Sequence, residues 1–283
     1  MAVPVGDPPP APWRAAWKGV PIPAWRYFCE VSSTQDVARA WAEAGAWEGC
    51  LVVAEAQTRG RGREGRPWWS KPGGSLTFSV VVRPRSEERA FLGHLAGMAA
   101  LAVCQVLEEE GLQPCIKWPN DILLAGRKVA GILIEASWEQ GPVPAYAIVG
   151  IGLNVKTEAL PPSERVDFPA TALEAHLKKT VHRPYLLARI WKGLLRWRMR
   201  IGQEVLWRAW ETRLAYRGQE VLVTVGNQTR RARLLGLTFD GRLRVRWLSG
   251  ETTTLTTVSH LRPVASAVTG SSPRLTGDVQ NIF

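Results

Sequence analysis

The chain has 283 residues, of which 46% are hydrophobic, enough for one large domain with a small companion and no need of disulfides or metals to fold. Lysine and arginine number 36 against 25 aspartate and glutamate, so the net charge of +11 leaves nucleic acid, acidic proteins and anionic small molecules open as partners. The longest apolar stretch, Phe91 to Leu107, is shorter than the about 20 residues that span a bilayer, so no membrane segment is expected. The N-terminus also lacks the pattern of a signal peptide.

The four cysteines are scattered along the chain without a C-x-x-C pair or a histidine at metal-ligand spacing: Cys29, Cys50, Cys104 and Cys115. This pattern favours buried reduced thiols over disulfides or zinc. We therefore expect a cytoplasmic protein without a direct metal-ligand cluster.

Residues 1–24 are rich in proline, which removes a backbone donor and is excluded from helix interiors, so we predict a loosely held arm with no helix-turn-helix. Trp25 to Val31 is predicted as a strand. Ser33 then begins a helix to Ala44, in a capping-box pattern with Asp36. Ser33 and Thr34 can act as caps alone, but a helix N-terminus also offers free N–H groups to a ligand.

The glycine–arginine loop, residues 60–66, reads Gly-Arg-Gly-Arg-Glu-Gly-Arg. Glycine permits positive φ and close approach, while arginine offers a planar fork of donors for carboxylates and phosphates, so the segment predicts an anion-binding loop. A flexible basic surface loop is the alternative. The glycine spacing partly matches the dinucleotide and P-loop motifs, but no helix pattern follows, and Arg66 and Pro67 replace the P-loop lysine and hydroxyl. We reject both.

Further along the chain, alternating and apolar runs predict a strand over 76–82, a helix over 87–110, a hairpin of 116–124 with 128–136, and a strand over 146–155. Gly150 and Gly152, at alternate positions, would let a flat ligand lie against the backbone. Lys117 starts among apolar neighbours, where a lysine is costly to bury unless it meets an anion; an exposed strand lysine is the alternative, as it is for Lys128.

Pro184 to Leu214 is tryptophan-rich and is predicted as one long core helix, after a shorter helix near 171–176. From Gly218, four short runs joined by hairpin signals predict a small SH3-like β-barrel domain over 215–264. Residues 265–283 are predicted as a flexible tail.

The candidate site gathers cations and neutral polar groups but no nucleophile system, since G-x-S-x-G, H-E-x-x-H and a suitable Cys/His pair are all missing from the sequence. A reaction that suits it is attack of a substrate carboxylate on the α-phosphorus of ATP, giving an acyl-adenylate and pyrophosphate. Arginine and lysine side chains with Mg²⁺ would offset the repulsion between the two anions. Hydroxyl and amide groups would recognise a polar head on the acid.

Four motifs, in this order, resemble those of biotin–protein ligases: residues 60–66 followed by Trp68, then Lys117-Trp118-Pro119-Asn120-Asp121, Lys128-x-x-Gly131-Ile132-Leu133 and Gly150-x-Gly152-x-Asn154. The resemblance covers about Val31 to Val155. It implies an α+β fold in which a mixed-sheet catalytic domain of the biotin/lipoate ligase type, residues 25–214, precedes the small C-terminal domain.

The same resemblance implies an enzyme that uses ATP and Mg²⁺ to convert biotin into biotinyl-5′-AMP. It would then transfer biotin to one lysine of a biotin carboxyl carrier protein domain, of the acetyl-CoA carboxylase type. Neither a nucleic-acid partner, a membrane partner nor repressor activity is expected, and the protein would be a monomer or a homodimer.

Residue roles follow from the resemblance by position. Biotin would be bound by Ser33, Thr34, Gln35, Gln57, Gly60, Arg61, Gly62, Arg63, Lys117, Gly131, Gly150 and Gly152. ATP and the adenylate would be bound by Arg63, Arg66, Trp68, Asn120, Lys128 and Asn154. Arg63 and Lys117 would be catalytic. Gln35 stands where many members have asparagine, which we expect to touch only the rim of the site, and Glu64 stands where a basic residue is common, which would weaken the loop's hold on the intermediate.

Two other functions remain open. A lipoate or octanoyl transferase resembles the same scaffold, but its motif carries a histidine that residues 69–75 lack. A nucleic-acid-binding module would fit the net charge, but it should show aromatic residues interleaved with a continuous basic face.

Overall fold

The computed structural model describes residues 3–138, 143–162, 164 and 166–264. The predicted tail, residues 265–283, lies outside the described residues. The helices are α1 (Ala11–Trp17), α2 (Thr34–Glu43), α3 (His94–Glu109), α4 (Leu173–Leu177), α5 (Arg183–Arg198) and α6 (Glu204–Thr212). The strands are β1 (Trp25–Val31), β2 (Leu51–Gln57), β3 (Ser75–Val82), β4 (Cys115–Lys117), β5 (Asp121–Leu124), β6 (Arg127–Ser137), β7 (Tyr146–Asn154), β8 (Glu220–Val225), β9 (Gln228–Leu237), β10 (Leu243–Trp247), β11 (Thr252–Leu255) and β12 (His260–Pro263).

Seven strands form a sheet in the order β1-β2-β3-β7-β6-β5-β4. β1 and β2 are parallel, whereas the other neighbours in this sheet are antiparallel, so the sheet is mixed as predicted. Strand β3, which lies between β2 and β7 within the sheet, is buried along its whole length. The α+β class predicted from the sequence is therefore confirmed.

The two faces of this sheet have different coverings. Side chains such as Phe78 and Val80 join the main core with α3 and α5. On the opposite face, Val81 and Ile148 pack beneath α2 in a smaller cluster. The alternation of a strand places Ser79 on the same face as Val81, beside the first turn of α2. Next to that turn, this face of the sheet forms the floor of the cavity described below.

The prediction of a loose N-terminal arm was wrong for residues 11–17. Two of its tryptophans, Trp13 and Trp17, are 3% and 6% exposed and belong to the main core. Trp17 stacks on Trp25 at 5.6 Å between ring centroids and meets the edge of Trp191 at 6.4 Å. Proline stands at the first turn of α1, where its missing N–H is not needed, so the proline content did not prevent a helix.

Two long helices predicted from the sequence are each divided. The stretch from Glu87 begins as a 3₁₀ helix, Ser86–Phe91, and only then becomes α3. The tryptophan-rich stretch forms two helices, α5 and α6, separated by a turn that contains Gly202 with φ of 76°. In the second stretch, tryptophans occur on both sides of the turn, so the pattern alone did not reveal that break.

The C-terminal residues form a second, antiparallel sheet in the order β11-β10-β9-β8-β12. The sequence missed β12, and no pairing of β11 with β12 closes a barrel among the described strands. This sheet packs on the first domain: Trp118 Nε1–H donates to the Gly241 carbonyl at 2.9 Å, and the His94 ring lies 2.6 Å from the Phe239 carbonyl. The main core runs through both parts of the chain.

The four cysteines are free thiols, as predicted, although Cys29 and Cys115 are exposed and only Cys50 and Cys104 are buried. Among the described helices, none combines the length and the apolar composition needed to cross a membrane.

Replacing Trp17 with alanine tests whether α1 is part of the core. We expect Trp17→Ala to lower the free energy of unfolding by about 3–5 kcal/mol, because a buried aromatic side chain leaves a cavity. Urea denaturation followed by circular dichroism measures this. Trp47→Ala is the matched control, since Trp47 is 78% exposed; equal effects of the two substitutions would show that α1 is loosely held.

Candidate active site

A cavity of about 400 Å³ opens on this face of the sheet. It lies between the N-terminal turn of α2, the glycine–arginine loop and the C-terminal sheet. Of the residues that the sequence assigned to the site, these line it: Ser33, Thr34, Gln35, Gln57, Arg61, Gly62, Arg63, Arg66, Trp68, Lys117, Asn120, Lys128, Gly131, Gly150, Gly152 and Asn154. Gly60 lies at the base of the loop, where its carbonyl accepts from Trp68 N at 2.8 Å. The fold thus brings together residues from four separate motifs.

The glycine–arginine loop forms a short ribbon rather than a helix start, in agreement with the rejection of both nucleotide motifs. Gly62 N donates to the Arg66 carbonyl at 2.7 Å. The tip contains Glu64 and Gly65, both with positive φ, of 57° and 72°. Glu64 pairs with Arg66 at 2.8 Å, so part of the loop's positive charge is matched within the loop.

Arg61 is tied to carboxylates of the first domain. Its guanidinium donates to both oxygens of Asp36 at 2.8 Å and lies 3.3 Å from Glu135. The hydrogen bonds from Arg61 lower the pKa of Asp36. The capping box predicted for Asp36 is therefore not formed; Ser33 caps α2 by accepting from Gln35 N, while Asp36 anchors the loop.

Polar groups on the floor of the cavity form one hydrogen-bonded chain. The Gln57 side-chain oxygen accepts from Thr34 N at 2.8 Å, and the Thr34 and Ser79 hydroxyls lie 2.8 Å apart. Ser79 donates to Gln35 Oε1 at 2.9 Å, and Gln35 Nε2 donates to the Ile148 carbonyl at 3.1 Å. These fixed neutral groups provide a preorganised surface for a polar, uncharged ligand group.

The expectation that Gln35 touches only the rim was wrong, because Gln35 is 3% exposed and forms part of the floor. Its amide lies over Gly150, where a Cβ would stand 2.5 Å from Gln35 Oε1. Glycine is required there for close approach, and so it is at Gly152, where a Cβ would stand 2.2 Å from the Trp68 indole. The space above each of these two glycines is therefore filled by a side chain of the same protein. The Trp68 indole N–H has no hydrogen-bond partner in the described structure.

Two lysines share one buried carboxylate at the other end of the cavity. Asp121 Oδ1 lies 2.6 Å from Lys128 Nζ, and Asp121 Oδ2 lies 3.0 Å from Lys117 Nζ. Burial lowers the pKa of Lys117, against the opposing effect of Asp121. Burial also acts to raise the pKa of Asp121, but Lys128 and Lys117 outweigh it and hold that pKa below its ordinary value. The cluster carries one uncompensated positive charge.

The remaining predicted residues shape the wall of the cavity. Asn154 is buried and donates to the Thr171 carbonyl at 3.1 Å. Asn120 Nδ2 donates to the Ile132 carbonyl at 2.7 Å, and its side-chain oxygen accepts from Arg63 at 3.5 Å. Both amides therefore line the cavity, and the ligand roles predicted for them stay predictions.

The C-terminal sheet closes one side of the cavity, which the sequence did not predict. Arg63 donates to the Thr257 hydroxyl at 2.9 Å, and Arg66 donates to the Ser259 carbonyl at 3.0 Å. Arg262 donates to the Asp167 carbonyl at 2.7 Å. These contacts join segments far apart in the chain, and no local pattern indicates them.

Other lining residues missed by the sequence analysis had weak signals. Thr77 and Ser79 are polar residues at alternate positions of an otherwise apolar strand, which would have placed them on one face. Asp121 follows Lys117 by four residues within the quoted motif. No pattern in the sequence indicated Phe168, whose ring centroid lies 4.8 Å from Lys117 Nζ.

Comparison with known families gives one matching family model, described as the biotin/lipoate A/B protein ligase family, over residues 27–154. The bifunctional ligase/repressor BirA of Bacillus subtilis is 44% identical over 133 residues, which are 47% of this chain and 40% of that protein, so the match spans less than half of that relative. The biotin–[acetyl-CoA-carboxylase] ligase of Paracoccus denitrificans is 30% identical over 208 residues, which are 70% of this chain and 85% of that protein.

Among solved structures, the biotin protein ligase from Aquifex aeolicus in complex with biotin and ATP has a TM-score of 0.73 and 29% identity. The superposition covers 86% of this chain and 100% of that chain. The similarity therefore extends beyond the residues matched by the family model.

Neutralising Asp121 tests the lysine cluster. We expect Asp121→Asn to lower the free energy of unfolding by about 3 kcal/mol at neutral pH, because breaking a buried ion pair leaves uncompensated charge. Because the folded-state pKa of Asp121 is depressed, its stabilisation is present above its ordinary value of 3.8 and is lost as the pH falls through the lowered pKa. The difference between the two proteins should therefore shrink below pH 3.8. Glu158→Gln, at a side chain that is 73% exposed, is the control and should change little.

Proposed function

The chain belongs to the biotin–protein ligase family, and from this premise we propose that it is an ATP-dependent ligase that activates biotin as biotinyl-5′-AMP and attaches it to a protein lysine. The protein substrate would be a biotin carboxyl carrier domain of the acetyl-CoA carboxylase type. The relatives' names, and the biotin and ATP in the Aquifex aeolicus complex, support the choice of substrates.

One observation carries the proposal: a single cavity has a neutral polar floor at one end and a cationic cluster at the other. The hydroxyl and amide groups of Thr34, Ser79 and Gln57 suit a cyclic urea, which both donates and accepts hydrogen bonds. Lys117 and Lys128, with one carboxylate between them, suit a carboxylate and a phosphate. Biotin carries a ureido ring at one end and a carboxylate at the other.

In the proposed first step, a carboxylate oxygen of biotin attacks the α-phosphorus of ATP, the bond from that phosphorus to the bridging oxygen breaks, and pyrophosphate leaves. Lys117 would contact both reacting anions and lower their repulsion, while Arg63 would stabilise charge on the phosphorus oxygens. In the second step, a neutral lysine amine attacks the acyl carbonyl, AMP leaves with the bonding electron pair, and the amine loses a proton.

Mg²⁺ would enter with the phosphates of ATP. In the described residues, no group of three or more His, Cys, Asp or Glu side chains could hold a metal ion. When bound, the ion would offset negative charge on the phosphate oxygens. The protein's share is then the positioning of Lys117, Arg63 and Arg66.

Trp68 and Asn154 are proposed to seat the adenine. The indole N–H of Trp68, which has no hydrogen-bond partner in the described structure, supports this assignment, as does the position of Lys128 Nζ 5.8 Å from the Trp68 ring. Asn154 lines the cavity, and its side-chain amide donates to the Thr171 carbonyl.

The absence of repressor activity and the monomeric or homodimeric state stay predictions.

The first experiment is exchange of labelled pyrophosphate into ATP in the presence of Mg²⁺ and one acid: biotin, lipoate or octanoate. Exchange with biotin alone supports the proposal. Exchange with lipoate or octanoate instead would show that the protein adenylates that acid rather than biotin, and no exchange with any acid would reject adenylation.

Lys117→Ala should reduce biotin-dependent pyrophosphate exchange by roughly 100-fold or more, because a cation aimed at the developing charge is lost. Lys192→Ala, at an exposed position of α5, is the control and should exchange at the normal rate. Unchanged exchange in a folded Lys117→Ala protein would reject the role proposed for Lys117.

Arg63→Ala should release the adenylate early, because Arg63 links the loop to both Asn120 and Thr257 across the cavity. The measurement is the amount of biotinyl-5′-AMP in a protein-free filtrate over time. Arg59→Ala alters an exposed arginine beside the loop and should retain the adenylate as the unchanged protein does. Equal retention by both variants would mean that Arg63 does not close the cavity.

A further inference from the structure

The solvent-facing side of the C-terminal sheet carries a ladder of arginines, defined here as the arginine face: Arg231 and Arg233 on β9 with Arg244 and Arg246 on β10. Residues 215–264 contain eight arginines and three carboxylates, a net charge of +5 in this small domain. The four face arginines are exposed and alternate with buried residues such as Ala232 and Val245. They therefore point to one side of the sheet.

On this side of β8 to β10, one carboxylate, Glu220, stands among the four face arginines. Elsewhere in the C-terminal domain, Arg217 and Arg242 pair with Glu211 and Asp240. Across the described structure, no ion pair joins any of the four face arginines to a carboxylate. Arg233 and Arg246 are even direct cross-strand neighbours, an arrangement of like charges that is unfavourable unless an anion lies over it.

The arginine face continues to the cavity. Arg231 is opposite Leu222, and Leu222 is opposite Arg262, so these three lie in one row across β9, β8 and β12. Arg262 lines the cavity. With about 4.8 Å between strands, the row places the face roughly 10–15 Å from the cavity edge, within reach of one docked domain.

We infer that the arginine face is the docking surface for the acidic side of the protein substrate, an inference that rests on the proposed function. The substrate must bring a lysine to a cavity rimmed by Arg63, Arg66 and Arg262, where like charges repel. Carboxylates around that lysine offset the repulsion, and carboxylates further along the same side meet the face. Arginine suits such contacts because its fork binds carboxylates in a bidentate manner.

Two features favour a protein partner over nucleic acid. Glu220 lies on the same side of the sheet opposite Arg233, and a lone carboxylate repels a continuous phosphate backbone but is easily accommodated by a mixed protein surface. The outward row of described residues on β8–β11 contains no aromatic ring for base stacking, since Trp247 is buried on the other side.

The test is charge reversal. Arg233→Glu/Arg246→Glu is compared with Lys192→Glu/Arg196→Glu, which makes the same change in net charge at exposed positions of α5. The probe is an unbiotinylated carboxyl carrier domain of net negative charge. The face variant should raise the KM for the carrier roughly tenfold or more, with kcat and biotin-dependent pyrophosphate exchange unchanged. The α5 variant should behave as the unchanged protein.

Three further measurements separate the outcomes. Arg233→Gln/Arg246→Gln should give a smaller rise in KM. A carrier that keeps the carboxylates around its target lysine, but has those further along the same side changed to lysine, should recover activity with the reversed ligase. An unchanged KM in the reversed variant would overturn the inference, as would binding of duplex DNA that the face variant loses while its carrier KM stays normal. Absence of pyrophosphate exchange in the unchanged protein would instead overturn the proposed function, and the choice of partner with it.

Discussion

Asp121 holds two ammonium groups side by side at the cationic end of the cavity, and the rest of the site depends on that arrangement. Lys117 and Lys128 lie 3.0 and 2.6 Å from its two oxygens. Two positive charges and one negative charge leave a surplus of one in a place where burial already lowers the pKa of Lys117. A buried positive charge without a counter-charge is unfavourable, so an anion that enters the cavity and neutralises this charge is bound more favourably. The charge imbalance thus weakens the free protein slightly and provides affinity for an anionic ligand.

The register of the sheet fixes this cluster. Lys117 and Asp121 are direct partners across β4 and β5, and Asp121 is opposite Gly131 on β6. Lys128 reaches the same carboxylate from the beginning of β6. A shift of one residue would turn these side chains to the other face, where α3 fills the core. The antiparallel strands therefore position the cations more firmly than a flexible loop could.

The sequence predicted the residues of the site better than their contacts. Polar residues at the start of α2 and glycines on β7 were readable because capping and close approach leave local patterns. The sequence placed Gln35 at the rim because its burial arises from packing against Ser79 and Ile148, far along the chain. Contacts such as Arg63 with Thr257, which are 194 residues apart, have no local pattern at all.

The errors in the fold have the same origin. The prolines before β1 suggested a loose arm, but burial of Trp13 and Trp17 outweighs the local preference. The apolar pattern from Pro184 to Leu214 continues across the turn at Gly202, so one helix was expected where two exist. In each case tertiary packing decided the structure, and residues distant in sequence provide that packing.

The arginines of the glycine–arginine loop differ in how firmly they are held. Arg61 is bound by two oxygens of Asp36, a charge-assisted bidentate contact, whereas Arg63 and Arg66 meet a hydroxyl and backbone carbonyls of the C-terminal domain. Hydrogen bonds to neutral oxygens are weaker than those to carboxylates, and the Arg66–Glu64 pair is exposed. Arg63 and Arg66 can therefore exchange their partners for phosphate oxygens at small cost, while Arg61 keeps the base of the loop on α2 and β6.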